Sequence, residues 1–251
     1  MKMLFACLIA FLALGALGAQ SPAELLAQID ERRTIPDMSF DLRITSFESG
    51  KQKDYNVLWG NVKDTGASSS ILVYFAEPAS VKGRKMLMAG RVVYYLFPRT
   101  RNPIRLSPLQ VLLGETSNGD VASTGFARDY DVTSFSETVR EGAACYLFKL
   151  DAKEEGKDST YAKVELWVEK ASLRPLYAEF AAADGKLLKK AAYGDYKTVE
   201  GKDFPFTLDI TDGDDPQKHT TMVYSRVGRK SEPETAFRRD YLDAWNPELS
   251  R

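Results

Sequence analysis

Histidine and cysteine are scarce in this 251-residue sequence, which contains one His and two Cys. A structural zinc site or a disulfide framework needs several of these residues, so neither is expected. The sequence also lacks an excess of charge of either sign, with 34 Lys and Arg against 35 Asp and Glu. Because binding to a phosphate backbone needs a basic excess, the sequence argues against nucleic acid as a partner. With 44% hydrophobic residues, it indicates a folded globular protein.

The common catalytic motifs are missing as well. The sequence contains no G-x-S-x-G, S-x-x-K, H-E-x-x-H, Walker or G-x-G-x-x-G pattern. Its one imidazole, His219, follows Asp212-Gly213-Asp214-Asp215-Pro216, which is typical of a solvated hairpin turn rather than a calcium loop. Cys145 begins a predicted strand and is expected to be a buried structural thiol. We therefore predict a protein that is not an enzyme and that needs no metal or cofactor.

A long hydrophobic run occurs at the N-terminus. Lys2 precedes eleven apolar residues, Leu4 to Leu14, and small residues follow up to Ala19. This layout predicts a secretory signal peptide over residues 1–19, cleaved after Gly18 or Ala19, with a single domain over residues 20–251. No later stretch reaches the length of a membrane span. The mature protein is thus expected to be exported and not to span a membrane.

The mature sequence begins with one predicted helix. Ser21, Pro22 and Glu24 form a capping-box pattern, and Leu25, Leu26 and Ile29 make an apolar stripe that ends before Pro36. From Met38 the period changes to two, and about a dozen strands alternate with turn signals such as Ser49-Gly50 and Glu200-Gly201. The one further segment that favours a short turn or helix is Pro108 to Leu113. The sequence predicts a mainly β protein with few helices and antiparallel neighbours.

The middle segment departs from strict alternation, because three of its strands are apolar on both faces. Such strands are either covered by a helix or loop or face a cavity. A wide curled sheet under a helical lid would leave an apolar cavity, whereas a two-sheet sandwich would fill the same space. The pattern leaves these two architectures open. The strands are Ile71–Phe75, Met86–Ala89 and Val92–Phe97.

A cluster of cations interrupts the same segment. Interleaved aromatic and methionine residues suggest a cationic rim around an apolar groove, since Arg suits phosphate or carboxylate groups and Met adapts to varied apolar shapes. The alternative is that these cations only solubilise loops. The cluster comprises Lys82, Arg84, Lys85, Arg91, Arg99, Arg101 and Arg105.

Several segments, in collinear order, resemble the LolA-like outer-membrane lipoprotein-sorting proteins. Each segment alone is weak, but the ordered set is fairly specific, above all the strand with Trp167 followed by Leu173-Arg174-Pro175 and the Asp184-Gly185 hairpin. The segments are VYFAEPASVKGRKMLM (73–88), VVYYLFPRTRNPIRLSP (92–108), GAACYLFKLDAK (142–153), YAKVELWVEKASLRPLYAEF (161–180) and DGKLLKKAAYGDYKTVEGKDFP (184–205).

The resemblance implies a half-open antiparallel β-barrel with a helical lid that encloses an apolar cavity. It also implies a periplasmic carrier for the acyl chains of a lipoprotein or lipid, with an inner-membrane exporter of the resistance-nodulation-division type as a partner. The expected cavity wall is Phe75, Met86, Met88, Tyr94 and Leu96. The expected rim, or partner-docking surface, is Arg99, Arg101 and Arg105.

Two other functions stay open on the sequence alone. One is an accessory interaction protein of an envelope exporter that carries no lipid itself, which would have a filled core and an exposed binding surface. The other is an envelope hydrolase with a clustered pair of carboxylates, although no two of the 35 acidic residues stand out as such a pair.

Overall fold

The computed structural model describes residues 20–66, 68–89, 92–117, 119–120, 125–153 and 160–249. The predicted signal peptide and Arg91 lie outside these residues. The described α-helices are α1 (Pro22–Arg33) and α2 (Phe126–Asp129), and 3₁₀ helices span Glu234–Phe237, Arg239–Tyr241 and Pro247–Leu249. Among the helices so described, none has both the length and the apolar composition required to cross a membrane.

Strands form most of the described chain. Thirteen of them make one antiparallel sheet in the order β6-β5-β4-β3-β2-β1-β15-β14-β13-β12-β11-β10-β9, and β7 pairs separately with β8. The edge strands β6 and β9 do not pair with each other, so the sheet is an open, barrel-like one. This confirms the mainly β fold of about a dozen antiparallel strands. The strands are β1 (Met38–Glu48), β2 (Lys51–Asp64), β3 (Ser69–Glu77), β4 (Lys85–Ala89), β5 (Val92–Leu96), β6 (Ile104–Leu106), β7 (Val111–Leu113), β8 (Thr116–Ser117), β9 (Tyr130–Arg140), β10 (Ala143–Ala152), β11 (Lys163–Glu169), β12 (Pro175–Ala181), β13 (Leu187–Val199), β14 (Lys202–Asp212) and β15 (Lys218–Arg229).

Local sequence explains where the first helix and several hairpins lie. Ser21 caps α1, and the predicted capping box with Glu24 is present. The turns at Ser49-Gly50 and Glu200-Gly201 place both residues at positive φ, which matches the twist of two-residue hairpins. The prediction of a short turn or helix through Leu113 is wrong in its second half. Val111–Leu113 forms strand β7. The chain turns at Gly114, whose φ is 53°, and then pairs with β7 as strand β8.

The middle strands that are apolar on both faces are also covered on both faces. On β3, Ile71, Val73 and Phe75 belong to the large inner core, whereas Leu72 and Tyr74 belong to a smaller cluster on the outer face. The C-terminal strap, which we define as residues 231–249, covers that outer face with side chains that include Leu242 and Trp245. Coverage by a loop segment therefore explains the pattern in these strands.

Polar contacts hold the C-terminal strap in place. The Lys85 ammonium donates hydrogen bonds to the backbone oxygens of Leu242, at 3.2 Å, and Asp243, at 2.8 Å, and to that of Trp245. The Tyr74 hydroxyl donates to the Glu248 carboxylate at 3.0 Å. Burial and the nearby Glu248 raise the pKa of Tyr74 to about 12, so this hydroxyl keeps its proton at neutral pH.

Candidate functional site

A cavity of about 90 Å³ lies between the inner face of the sheet and the C-terminal end of α1. Strands from both halves of the sheet contribute to it, together with α2. Aromatic and aliphatic side chains dominate its lining, which is typical of a site for an apolar ligand. These side chains are Ile35, Met38, Phe40, Val62, Phe126, Tyr161, Phe180, Tyr193, Phe204, Leu208, Ile210 and Tyr224.

One wall of the cavity is a series of aromatic rings in edge-to-face contact. The rings of Phe40 and Tyr224 have centroids 5.3 Å apart, and those of Tyr224 and Phe204 are 5.1 Å apart. Phe40 lies against Gly60 on the paired strand, where an added Cβ would sit 2.1 Å from the ring. Because edge-to-face pairs favour one arrangement, the wall has a defined shape, and the glycine provides the space for it.

Asp30 joins the two helices above the cavity. Its carboxylate accepts hydrogen bonds from the Arg33 guanidinium at 2.9 Å and from the backbone N–H of Ala127, next to Phe126 in α2, at 2.7 Å. The Arg33 guanidinium also lies 4.8 Å from the centre of the Phe126 ring, which lines the cavity. Opening this cover therefore requires breaking the Asp30 contacts.

Burial raises the pKa of Asp30 above its ordinary value of 3.8, against the opposing effect of Arg33. A carboxyl whose pKa is higher in the folded state than in the unfolded state takes up its proton first in the folded state. Its contribution to stability is therefore largest at pH values below the unfolded pKa, and it is lost as the pH rises through the folded pKa.

We expect an NMR titration of the Asp30 carboxyl to give a midpoint above 3.8. In Asp30→Asn, the contribution of this carboxyl to the pH dependence of unfolding should be missing. A midpoint at or below 3.8 in the wild type would contradict the burial of Asp30.

A buried polar cluster borders the same cavity at Asp120. The Asp120 carboxylate accepts hydrogen bonds from the Lys189 ammonium at 2.7 Å, from the Tyr161 hydroxyl at 2.5 Å and from the Ser117 hydroxyl at 3.0 Å. Lys189 also donates to the backbone oxygen of Glu115 at 2.7 Å. Each charge has a partner, so the cluster is suited to fixing Glu115, Ser117 and Asp120 onto β13.

The tyrosines around the cavity are not suited to proton transfer at neutral pH. Burial raises the pKa of Tyr193 to about 12 and raises the pKa of Tyr161 and Tyr224 further. Their hydroxyls therefore stay protonated and offer polarity without charge. Burial also raises the pKa of the Cys145 thiol, and the ring of His219 is stacked on Phe47. Within the described residues, no group of three or more His, Cys, Asp or Glu is placed to hold a metal ion.

The predicted wall residues are divided between the two faces of the sheet. Phe75 and Met86 lie in the inner core, and Met88 packs against it. Tyr94 and Leu96 lie on the outer face, in the cluster covered by the C-terminal strap. Phe75 lines a second cavity of about 370 Å³, and the structure does not bring Tyr94 or Leu96 to the lining of either cavity. Period-two alternation gives the reason, because neighbouring residues of β5 point to opposite faces.

The predicted rim arginines lie at one edge of the sheet. Arg99, with a φ of 65°, and Arg101 are in the turn between β5 and β6, and Arg105 is on the edge strand β6, opposite Tyr94. All three side chains are exposed. The second cavity is lined by Ile104 and Leu106 of the same strand but by none of the three arginines. They do not line the aromatic cavity under α1.

The residues that line the aromatic cavity belong mostly to strands that the sequence prediction did not single out. Phe180, Leu208 and Ile210 occupy alternating positions of β12 and β14, but nothing in the local sequence separates a cavity wall from a filled core. The available signal was the concentration of aromatic residues at inward positions of β12 to β15, at Phe180, Tyr193, Phe204 and Tyr224.

The comparisons place this architecture among known proteins. A family model described as "Uncharacterized protein" matches residues 67–244, and no protein of curated function matches the sequence. A LolA superfamily protein from Nitrosomonas europaea is 28% identical, with a TM-score of 0.79 over 89% of this chain and 100% of that one. An outer membrane lipoprotein-sorting protein domain from Vibrio parahaemolyticus is 19% identical, with a TM-score of 0.76 over 88% and 97%. A DUF1329 family protein from Desulfovibrio piger is 19% identical, with a TM-score of 0.74 over 86% and 95%.

The open antiparallel sheet with a helix over an apolar cavity defines a class of β-rich binding proteins. Within that class, the chain belongs to the family whose model matches residues 67–244, and its fold is LolA-like. The resemblance drawn from the sequence segments is thereby confirmed.

Proposed function

We propose that this protein is a periplasmic carrier that binds the acyl chains of a lipoprotein or lipid in the aromatic cavity and passes them between envelope components. The observation that carries the proposal is the apolar cavity between the sheet and α1, which Phe40, Phe180 and Tyr224 line together with other rings. The similarity to a domain described as lipoprotein-sorting supports the same class of cargo. The cluster of charges at Asp120 is internally paired, which favours binding over catalysis.

The energetics suit acyl cargo. Each buried CH₂ group contributes about 0.8 kcal/mol, so a sixteen-carbon chain offers roughly 10 kcal/mol before costs. Sites for small ligands usually have volumes of about 300–1,000 Å³, so the cavity of about 90 Å³ must widen to hold such a chain. Release of the Asp30 contact to Ala127, and of the Lys202 contact to the Glu31 backbone oxygen at 2.9 Å, would let α1 move away from the sheet.

The place of action follows from the predicted signal peptide, which would send the mature chain to the periplasm. The donor and acceptor of the cargo would then be envelope components. The exporter of the resistance-nodulation-division type, which the family resemblance implies, stays a prediction for this chain.

The direct test is native mass spectrometry of the mature protein purified from its own envelope fraction, followed by organic extraction. A bound acylated species is the expected result, and its mass would identify the cargo class. A protein that is free of ligand, and stays so after incubation with envelope lipids, would overturn the carrier proposal in favour of an accessory interaction protein.

A charge placed in the cavity wall should prevent binding. We expect Leu208→Glu to weaken binding of a fluorescent fatty acid by at least about tenfold, because burying an unpaired carboxylate beside an acyl chain is costly. Val223→Glu is the matched control, since Val223 is 40% exposed on the neighbouring strand β15 and does not line the cavity. Equal affinities of the two variants, both shown to be folded by circular dichroism, would exclude this cavity as the acyl site.

A further inference from the structure

One stretch of this protein carries only basic charge, although the whole chain has nearly equal numbers of basic and acidic residues. Residues 78–114 contain Lys82, Arg84, Lys85, Arg91, Arg99, Arg101 and Arg105 and contain neither Asp nor Glu. Two of these cations are used by the C-terminal strap, where Lys82 lies 3.5 Å from the Glu248 carboxylate and Lys85 donates to backbone oxygens. The remaining cations need another explanation.

Arg99, Arg101 and Arg105 are concentrated at the edge of the sheet. Their side chains are exposed, and they form no ion pair with any residue that the structure describes. Arg84 lies nearby, where its guanidinium donates to the Tyr95 hydroxyl at 3.5 Å and to the Ser80 backbone oxygen at 3.0 Å. This edge therefore carries positive charge that nothing in the described chain neutralises.

Large apolar side chains are exposed at the same edge. Of the described large hydrophobic residues, those exposed here are Phe97 (44%), Ile104 (47%), Leu109 (54%) and Val111 (64%). Phe97, Ile104 and Val111 also border the second cavity of about 370 Å³. Asp54 also lines the second cavity, and its carboxylate accepts a hydrogen bond from the backbone N–H of Tyr55 at 2.7 Å.

We propose that this edge docks the protein onto the surface of an anionic phospholipid membrane. We call it the membrane edge, made of Phe97, Arg99, Arg101, Ile104, Arg105, Leu109 and Val111. Arginines and exposed apolar side chains gathered at one sheet edge suit an interface where apolar groups enter the acyl boundary and guanidinium groups meet phosphates. The absence of acidic residues from 78 to 114 gives the charge complementarity that an anionic surface requires.

Docking by this edge does not depend on cargo, because the membrane edge and the aromatic cavity have separate linings. The membrane edge would bring the carrier to the surface from which, or to which, a lipid moves. A protein partner with an acidic face is the competing occupant, and vesicles free of protein distinguish it from a membrane.

The test is co-sedimentation of the mature protein with vesicles of phosphatidylcholine and phosphatidylglycerol, compared with vesicles of phosphatidylcholine alone. The wild type should bind the anionic vesicles more strongly, and added salt should weaken that binding. Combining Arg99→Ala, Arg101→Ala and Arg105→Ala should lower the partition coefficient by about 100-fold, since each basic residue near an anionic surface contributes about fivefold.

The matched control combines Arg32→Ala, Lys163→Ala and Arg229→Ala. These exposed cations lie on α1, β11 and β15, and their removal changes the net charge by the same amount. The control should bind within about twofold of the wild type, because its cations lie away from the docking edge. Equal losses in the two triple variants, or equal binding of the wild type to neutral and anionic vesicles, would overturn the proposal and leave the edge to a protein partner.

A second pair of variants separates the apolar contribution and the cavity. Phe97→Ser with Ile104→Ser keeps every arginine and should still weaken vesicle binding, by about tenfold, because both side chains are exposed and no core is opened. Leu208→Glu should bind vesicles like the wild type even if it has lost the fatty acid. Loss of vesicle binding in Leu208→Glu alone would show that the membrane is held through the cavity, which would overturn docking by the edge.

Discussion

Lys189→Ala is expected to lower the free energy of unfolding by about 3 kcal/mol. The substitution removes the cation from the buried pair with Asp120, whose side chains are 11% and 7% exposed. Breaking a buried pair by removing one partner costs about 3–5 kcal/mol, because the remaining charge is left uncompensated. The lower end applies here, since Tyr161 and Ser117 still donate hydrogen bonds to Asp120.

Urea unfolding followed by circular dichroism measures this effect. Lys190→Ala is the matched control on the same strand, where the side chain points to the other face, and it should change stability by no more than about 0.5 kcal/mol. Adding Asp120→Asn to Lys189→Ala should restore part of the loss, because the remaining group is then neutral. Equal losses in the free energy of unfolding for Lys189→Ala and Lys190→Ala would mean that the Asp120 cluster is solvated and does not hold Glu115 and Asp120 on β13.

Trp245→Ala is expected to lower the free energy of unfolding by about 3–5 kcal/mol, as for other buried Trp and Phe truncations. Trp245 is 4% exposed and packs in the outer cluster with Leu72, Leu87 and Leu96. Its removal also weakens the turn whose backbone oxygens accept hydrogen bonds from Lys85. The C-terminal strap should then separate from the sheet and expose the apolar outer face.

Trp245→Phe separates packing from hydrogen bonding. Within the described structure, the Trp245 indole N–H has no hydrogen-bond partner, so phenylalanine loses buried area but no hydrogen bond. We expect a loss of about 1 kcal/mol. Hydrogen exchange should show faster exchange in β3 and β4 for Trp245→Ala only. Similar stabilities of the two variants would mean that the ring does not anchor the strap.

Much of the local structure could be predicted from the sequence because its causes are local. The capping box at Ser21 starts α1, and the alternation of Met38, Phe40, Leu42 and Ile44 gives the buried face of β1. The positions of turns such as Ser49-Gly50 followed from residues that accept positive φ. Pro108 to Leu113 was harder, because β7 exists through its pairing with β8, and pairing is not encoded in a single short segment.

The candidate site could be predicted in kind but not in place. The family resemblance implied an apolar cavity under a helix, whereas the strand pattern left this architecture and a filled two-sheet sandwich open. The expected wall in β3 to β5 mixed two faces, because strands that are apolar on both sides give no sign of which side is inward. Tyr94 and Leu96 face the C-terminal strap, whereas Phe180 and Tyr224, from distant parts of the chain, meet at the aromatic cavity.

The sequence by itself determined the mainly β class, the helix at the start of the described chain, the hairpin turns and the basic stretch from 78 to 114. Each of these depends on residues close to one another in the chain. The tertiary structure decided which faces of the sheet are covered, where the cavity lies and which cations are paired. Burial and pairing are set by contacts between residues far apart in sequence, such as Asp120 with Lys189 and Lys85 with the C-terminal strap, and no local pattern contains them.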